Sequence, residues 1–290
     1  MNRYVWQILR PANVVTAVSD VWAGISLAVL FSGLAFPAIS QVLIISVASM
    51  FLYAGGVVFN DVFDVEIDKR ERPDRPIPSG NLSLKNAIGI GVFCFLMGAI
   101  LSATQGWTAF FIALSIAVMC LLYNGVFKHH FITGPIAMGA CRALNLLLGF
   151  SVLTLPYGNF YILAFPIIYI AAITNISRGE VYGNNRKAIL VSIILYACVL
   201  LSMFYLSFSF QKLWALPFIV FFGGFVLYPA FKALKTAIPK DIQNAVKMGV
   251  LGLIIMNAAW VAIGYSMGWA FITLLLLAVS IWLSSRFKVT

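Results

Sequence analysis

Apolar residues run along the chain in stretches of about twenty, parted by short polar joints, the length a helix needs to cross a membrane's hydrocarbon layer. Ten such segments stand near 13–33, 38–60, 84–104, 107–125, 132–154, 159–177, 188–210, 212–231, 246–266 and 268–286. The pattern predicts an all-α fold, a polytopic membrane helical bundle, as a single domain over 1–290. Composition points the same way. The chain is 62% apolar and 10% charged, against about 45–50% and about 25% in soluble domains. A soluble enzyme, a disordered chain and a disulfide-stapled module are excluded. Cys94, Cys120, Cys141 and Cys198 lie in or at the ends of apolar runs without paired spacing, so neither disulfides nor a zinc site are expected.

The charge pattern orients the segments. With the N-terminus in the cytoplasm, 17 of the 19 Lys and Arg residues fall on the inner side. Lys212 alone falls in an outer joint, and Arg142 lies within a segment. That asymmetry is the positive-inside pattern. It accounts for the net charge of +10 without nucleic acid, because no basic stripe is interleaved with stacking aromatics. No cleavable signal peptide is expected. The compact chain reads as a protein of the bacterial inner membrane; an archaeal membrane would read alike.

Six of the nine acidic residues crowd the loop 60–83. Its first part reads Asn60-Asp61-Val62-Phe63-Asp64-Val65-Glu66-Ile67-Asp68. On one helix, Asp61, Asp64 and Asp68 share a face at i, i+3 and i+7. Three like charges there need a positive partner. Mg²⁺ suits them, since it takes one or two carboxylates together with waters and phosphate oxygens. Glu66 faces the other way. Lys69, Arg70, Arg72 and Arg75 follow at once, and guanidinium forks beside metal-binding carboxylates suit a diphosphate. A solvated loop of salt bridges is the plainer alternative.

The string Asn60-Asp61-x-x-Asp64-x-x-x-Asp68, with Arg72-Pro73-Asp74-Arg75-Pro76-Ile77-Pro78-Ser79-Gly80 behind it, resembles the first signature of the UbiA superfamily of intramembrane prenyltransferases. Leu9-Arg10-Pro11 and the pair Tyr123 and Lys128 are also similar. The resemblance covers essentially the whole chain. It implies a helical bundle around a central cavity, usually counted as nine spans, so either the tenth, C-terminal segment is an addition or the apolar runs are divided once too often. The family's second signature is Asp-x-x-x-Asp after the sixth span. Here Glu180 and Asn184 stand at that spacing, and Asn184 offers a neutral oxygen in place of a charge. The surrounding wording, with Cys141-Arg142-Ala143-Leu144-Asn145, looks like the EboC-like branch.

What the resemblance implies is a Mg²⁺-dependent prenyltransferase. Asp61, Asp64, Asp68, Glu180 and Asn184 would hold the metal on a polyprenyl diphosphate. Lys128, Arg72 and Arg75 would neutralise the remaining oxygens, with Arg178 or Arg186 adding a contact. Asn60 would support the metal shell, and Tyr123 would stand near Lys128. An unidentified acceptor would receive the prenyl group. Arg142, with Asn145 one turn on, either contacts substrate in the chamber or pairs structurally with Asp20. The rival reading is a weak or inactive relative that binds or transports an isoprenoid lipid.

Overall fold

The computed structural model describes residues 3–178, 183 and 185–286. Among these all regular structure is helical, with twelve α-helices. A short α1 (Arg3–Leu9) leads into α2 (Pro11–Ser32) and α3 (Ile39–Phe63), and α4 (Val65–Glu71) follows α3 almost without a break. Then come α5 (Leu84–Ala103), α6 (Trp107–Leu122), a π-helical turn (Tyr123–Phe127), α7 (Thr133–Phe150) and α8 (Ala164–Ser177). The chain closes with α9 (Arg186–Ser209), α10 (Leu216–Thr236), α11 (Pro239–Gly264) and α12 (Met267–Arg286).

Nine helical stretches in the described residues are long and apolar enough to cross a membrane, α12 among them. The predicted segment outside the nine is the fifth, α7, whose 18 residues include Arg142 and Asn145. The tenth segment forms α12. α12 packs on α11 and α2, and Ser280 donates to the Ala12 carbonyl at 2.9 Å. Local signals set the helix ends. Pro11 and Pro239 open α2 and α11 in the first turn, where a missing N–H is harmless. Ser83 caps α5 by accepting from Asn86 N at 3.2 Å. Gly33 ends α2 at φ 69°, a left-handed conformation that glycine adopts freely.

α2 and α11 form the buried centre. α2 packs against α3, α7, α11 and α12, and α11 also carries α8 and α10. The apolar interior has two main parts. One, from α8 to α11, is built around Trp260, Tyr169 and Phe222; the other lies between α2, α3 and α6 around Ile25, Ile45, Leu52 and Ile116. At the α2–α7 crossing the backbones nearly touch. A Cβ on Gly24 would lie 2.1 Å from the Leu146 carbonyl oxygen, and one on Gly149 2.2 Å from that of Val21. Small residues let helices approach this closely in a membrane. The contact places Arg142 and Asn145 of α7 beside the polar side chains of α2.

Candidate active site

The acidic string does not run on one unbroken helix. α3 ends at Phe63, Asp64 stands at the junction with ψ 2°, and α4 resumes at Val65. Asp64 N still donates to Asn60 O at 3.0 Å and Asp68 N to Asp64 O at 2.8 Å, so the helical spacing survives. The side chains separate into two and one. Arg75 Nη1 donates to Asp68 Oδ2 at 2.6 Å and to Asp61 Oδ1 at 3.3 Å. Arg10 also pairs with Asp61, while Asp64 receives the ammonium of Lys128. Asp61, Asp68 and Arg75 are all buried. Glu66 pairs with Lys69 on the exposed side at 2.7 Å, as its helical position predicts.

The proline-rich turn after α4 brings Arg75 back. Arg75 N donates to Arg72 O at 3.1 Å, Ser79 N to Arg75 O at 3.0 Å, and Leu82 N to Pro76 O at 2.9 Å. Arg72 lines an outer pocket of about 400 Å³ together with Arg10, Asp61 and Arg75. Lys128 follows the π turn, its amide donating to Tyr123 O at 2.8 Å. A single π turn inside a helix often marks a functional position. With its amide oxygen toward Lys128, Asn60 accepts from Nζ at 2.9 Å and donates to Asp64 Oδ2 at 3.3 Å.

Inward from this cluster lies a cavity of about 220 Å³ between α2, α3, α6 and α7. Arg10, Asn60, Asn124 and Tyr123 line it, as do Arg142 and Asn145. Leu52, Val57, Ile116 and Met138 supply apolar wall, and Cys120 and Cys141 face each other there with sulfurs 3.8 Å apart.

Arg142 makes the structural pair with Asp20 that is one of its two readings. It lines the cavity, and its Nη1 donates to Asp20 Oδ2 at 2.9 Å. Its Nη2 donates to Thr16 Oγ1 at 2.8 Å and to the Tyr53 hydroxyl at 3.2 Å. Asn145 Nδ2 donates to Ala17 O at 2.9 Å and to Asp20 Oδ2 at 3.1 Å, and it accepts from Ser49 at 2.7 Å. Asn257 of α11 donates to Asp20 Oδ1 at 2.7 Å. Asp20 thus collects three donors, and four helices meet on one polar node. Pairing of this kind offsets the high free energy of charge within a membrane.

Two predicted contacts stand elsewhere. Arg178 donates to Asn175 Oδ1 at 2.9 Å and to the Phe131 carbonyl. Arg186 reaches the Lys235 carbonyl at 3.5 Å, against α10. Glu180 and Asn184 lie outside the described residues. Asn124, Tyr53 and Asn257 belong to the site or its support without having been singled out, while Arg10, quoted above within Leu9-Arg10-Pro11, pairs with Asp61. Among the described residues no three His, Cys, Asp or Glu side chains form a ready metal cluster. Asp61 and Asp68 nevertheless share one cationic group, so their spacing suits a common cation. Their oxygens, with those of Asp64, are donors of the kind Mg²⁺ takes.

Comparison with known proteins bears on the fold and the family. The digeranylgeranylglyceryl phosphate synthase of Metallosphaera sedula is 43% identical over 96 residues, 33% of this chain and 34% of that protein. The protein of the same name from Methanobrevibacter smithii is 29% identical over 232 residues, 71% of this chain and 78% of that one. The chain thus spans about a third of the first relative and more of the second. Among solved structures, a UbiA homologue from Archaeoglobus fulgidus bound to GPP and Mg²⁺ shares the fold, with TM-score 0.59 and 13% identity over 89% of this chain and 99% of that one. A structure of digeranylgeranylglyceryl phosphate synthase in membranes does so with TM-score 0.65 and 22% identity, covering 91% and 99%. These matches do not show the EboC-like branch. Residues 21–243 match the UbiA prenyltransferase family, and the chain, a multi-pass membrane protein, belongs to that family.

Proposed function

We propose that the chain ionises a polyprenyl diphosphate in a Mg²⁺-dependent reaction and transfers the prenyl group to an acceptor. The observation that carries this reading is the set of carboxylates and cations at the mouth of the cavity: Asp61, Asp68 and Arg75 on one side, Asp64 and Lys128 on the other. Mg²⁺, held through Asp61, Asp64 and Asp68 and through Glu180 and Asn184, would offset the charge that the diphosphate gains as it leaves. Arg10, Arg75 and Lys128 now hold the carboxylates and would turn to diphosphate oxygens, with Arg72 at the outer edge. The C1–O bond breaks with its electron pair on the diphosphate. A pair from the acceptor's nucleophilic atom then forms the new bond to C1, and that atom's proton is released. The cavity wall keeps water from the allylic cation.

The name of these relatives describes a glyceryl phosphate carrying two geranylgeranyl groups. That favours a long donor and an acceptor that is itself a glyceryl phosphate lipid. The charge asymmetry favours an orientation with the N-terminus and the aspartate end on the cytoplasmic side. The named relatives are archaeal, which favours an archaeal-type cell membrane over the bacterial one.

The test uses the full chain in nanodiscs with geranyl, farnesyl and geranylgeranyl diphosphates, with and without Mg²⁺. Pyrophosphate release is measured in the presence of a panel of acceptors. Mg²⁺-dependent release that Asp64→Ala abolishes is expected, and Asn184→Asp is expected to raise it. Absence of both release and Mg²⁺-dependent donor binding would overturn the proposal. Binding without turnover under every acceptor would favour the lipid-binding alternative.

A further inference from the structure

A second pocket, of about 310 Å³, opens beside the first between the turn after α6 and the end of α8. Lys128, His129, His130 and Arg178 give it a basic wall. Lys128 is committed to Asp64. Arg178 pairs with no carboxylate among the described residues. Its guanidinium is nevertheless fixed: it donates to Asn175 and to the Phe131 carbonyl, and it stacks on the Phe131 ring 3.5 Å from the centroid. A guanidinium carries five N–H donors, so Arg178 keeps donors free while its orientation is already set. Pre-organised arginine of this kind suits a phosphate.

The rim is not that of a site for a soluble anion. Phe131 is 72% exposed and Ile132 67% exposed, on a chain whose outer surface faces lipid. The pocket also touches the central cavity. Tyr123 and Met138 line both, and the Tyr123 hydroxyl meets the Met138 sulfur at 3.8 Å. One flexible thioether and one ring are shared by the two walls, and methionine adapts readily.

We infer that this pocket holds the anionic phosphate headgroup of the acceptor lipid, with Arg178 as its principal ligand and the Tyr123–Met138 pair as the passage to the reacting cavity. The inference rests on the proposed prenyl transfer for the identity of the acceptor, and on the pocket alone for the binding of an anionic lipid. It assigns Arg178 to the acceptor in place of the donor diphosphate.

The test uses the full chain in nanodiscs and labelled hexadecylglyceryl phosphate as probe. Binding is compared in the native chain, Arg178→Gln and Arg178→Lys, and farnesyl thiodiphosphate binding with Mg²⁺ is measured in parallel. Arg178→Gln should weaken the probe about tenfold or more, as expected for loss of charge-assisted hydrogen bonds, and leave the thiodiphosphate unchanged. Arg178→Lys should fall between, because it keeps the charge and loses the planar fork; it serves as the test if the glutamine variant is poorly recovered. Uncharged hexadecylglycerol should bind all three alike. Unchanged probe affinity, or equal loss for probe and thiodiphosphate, would overturn the inference. Displacement of the probe by millimolar inorganic phosphate would also overturn it, since the site would then read a free anion and not a lipid. Failure of thiodiphosphate binding alone would count against the proposed donor chemistry and leave the pocket standing.

Discussion

Asp20 offers a quantitative test of how the bundle is held together. Its carboxylate accepts from Arg142 at 2.9 Å, from Asn145 at 3.1 Å and from Asn257 at 2.7 Å. Asp20→Asn removes the charge, turns an acceptor into a donor facing donors, and leaves Arg142 a buried cation without a counter-charge. Breaking a buried ion pair on one side costs about 3–5 kcal/mol. Three interhelical hydrogen bonds at about 0.6–1.7 kcal/mol each give roughly 2–5 kcal/mol, so the two routes agree. Arg142→Gln should cost less, about 1–2 kcal/mol, because Asn145 and Asn257 still solvate the carboxylate. The double variant should be less destabilised than the sum, with a coupling of about 1–3 kcal/mol. The assay is SDS titration in mixed micelles followed by far-UV circular dichroism, on the native chain, both single variants and the double. A loss below about 1 kcal/mol for Asp20→Asn, or additivity within about 0.5 kcal/mol, would refute the view that this node locks the helices.

Gly24→Ala should lower stability by about 1–3 kcal/mol in the same titration, because its Cβ would stand 2.1 Å from a carbonyl oxygen on α7. Arg75→Gln removes the cation shared by Asp61 and Asp68, and should reduce pyrophosphate release roughly a hundredfold and also lower the unfolding midpoint, because the buried Asp68 carboxylate loses its ion-pair partner. Copper–phenanthroline oxidation should join Cys120 to Cys141, whose sulfurs are 3.8 Å apart, and leave Cys94 and Cys198 free. Peptide mapping reads the product, and the Cys141→Ala variant should yield none.

Much of the fold is legible in apolar run length, since each of the ten expected segments corresponds to a helix. The ends are less legible where polar residues sit inside a helix. α11 starts at Pro239, not near 246, because Lys240, Asp241, Gln243 and Asn244 dilute its first turns. Pro239 and Asp241 are the start signals there. α1 is too short to stand out in a scan for spans. In the site, the aspartate string is legible as chemistry, yet its division is not. Whether Asp61 goes with Asp68 or with Asp64 depends on the break at Asp64 and on the return of Arg75. Arg10 meets Asp61 across 51 positions, a pairing that no local pattern encodes. The Asp20–Arg142 pair could be named because each is a charge inside an apolar run. Asn257 could not, because one amide in an apolar helix gives no partner away.

The polar node also sets an order in time. All three donors to Asp20 are made after it, and Asn257 follows by 237 positions. At about 5–20 residues per second, that gap lasts roughly ten to fifty seconds of translation. During it α2 lies in the bilayer with a carboxylate its own helix does not satisfy. Chains stopped after α6, before Arg142 and Asn145 of α7 are made, are therefore expected to be degraded faster than the same truncations carrying Asp20→Leu, and equal half-lives would argue against this. The first long helix inserted is the last to be settled, so cellular quality control meets the Asp20 side chain during synthesis, before the bundle has closed around it.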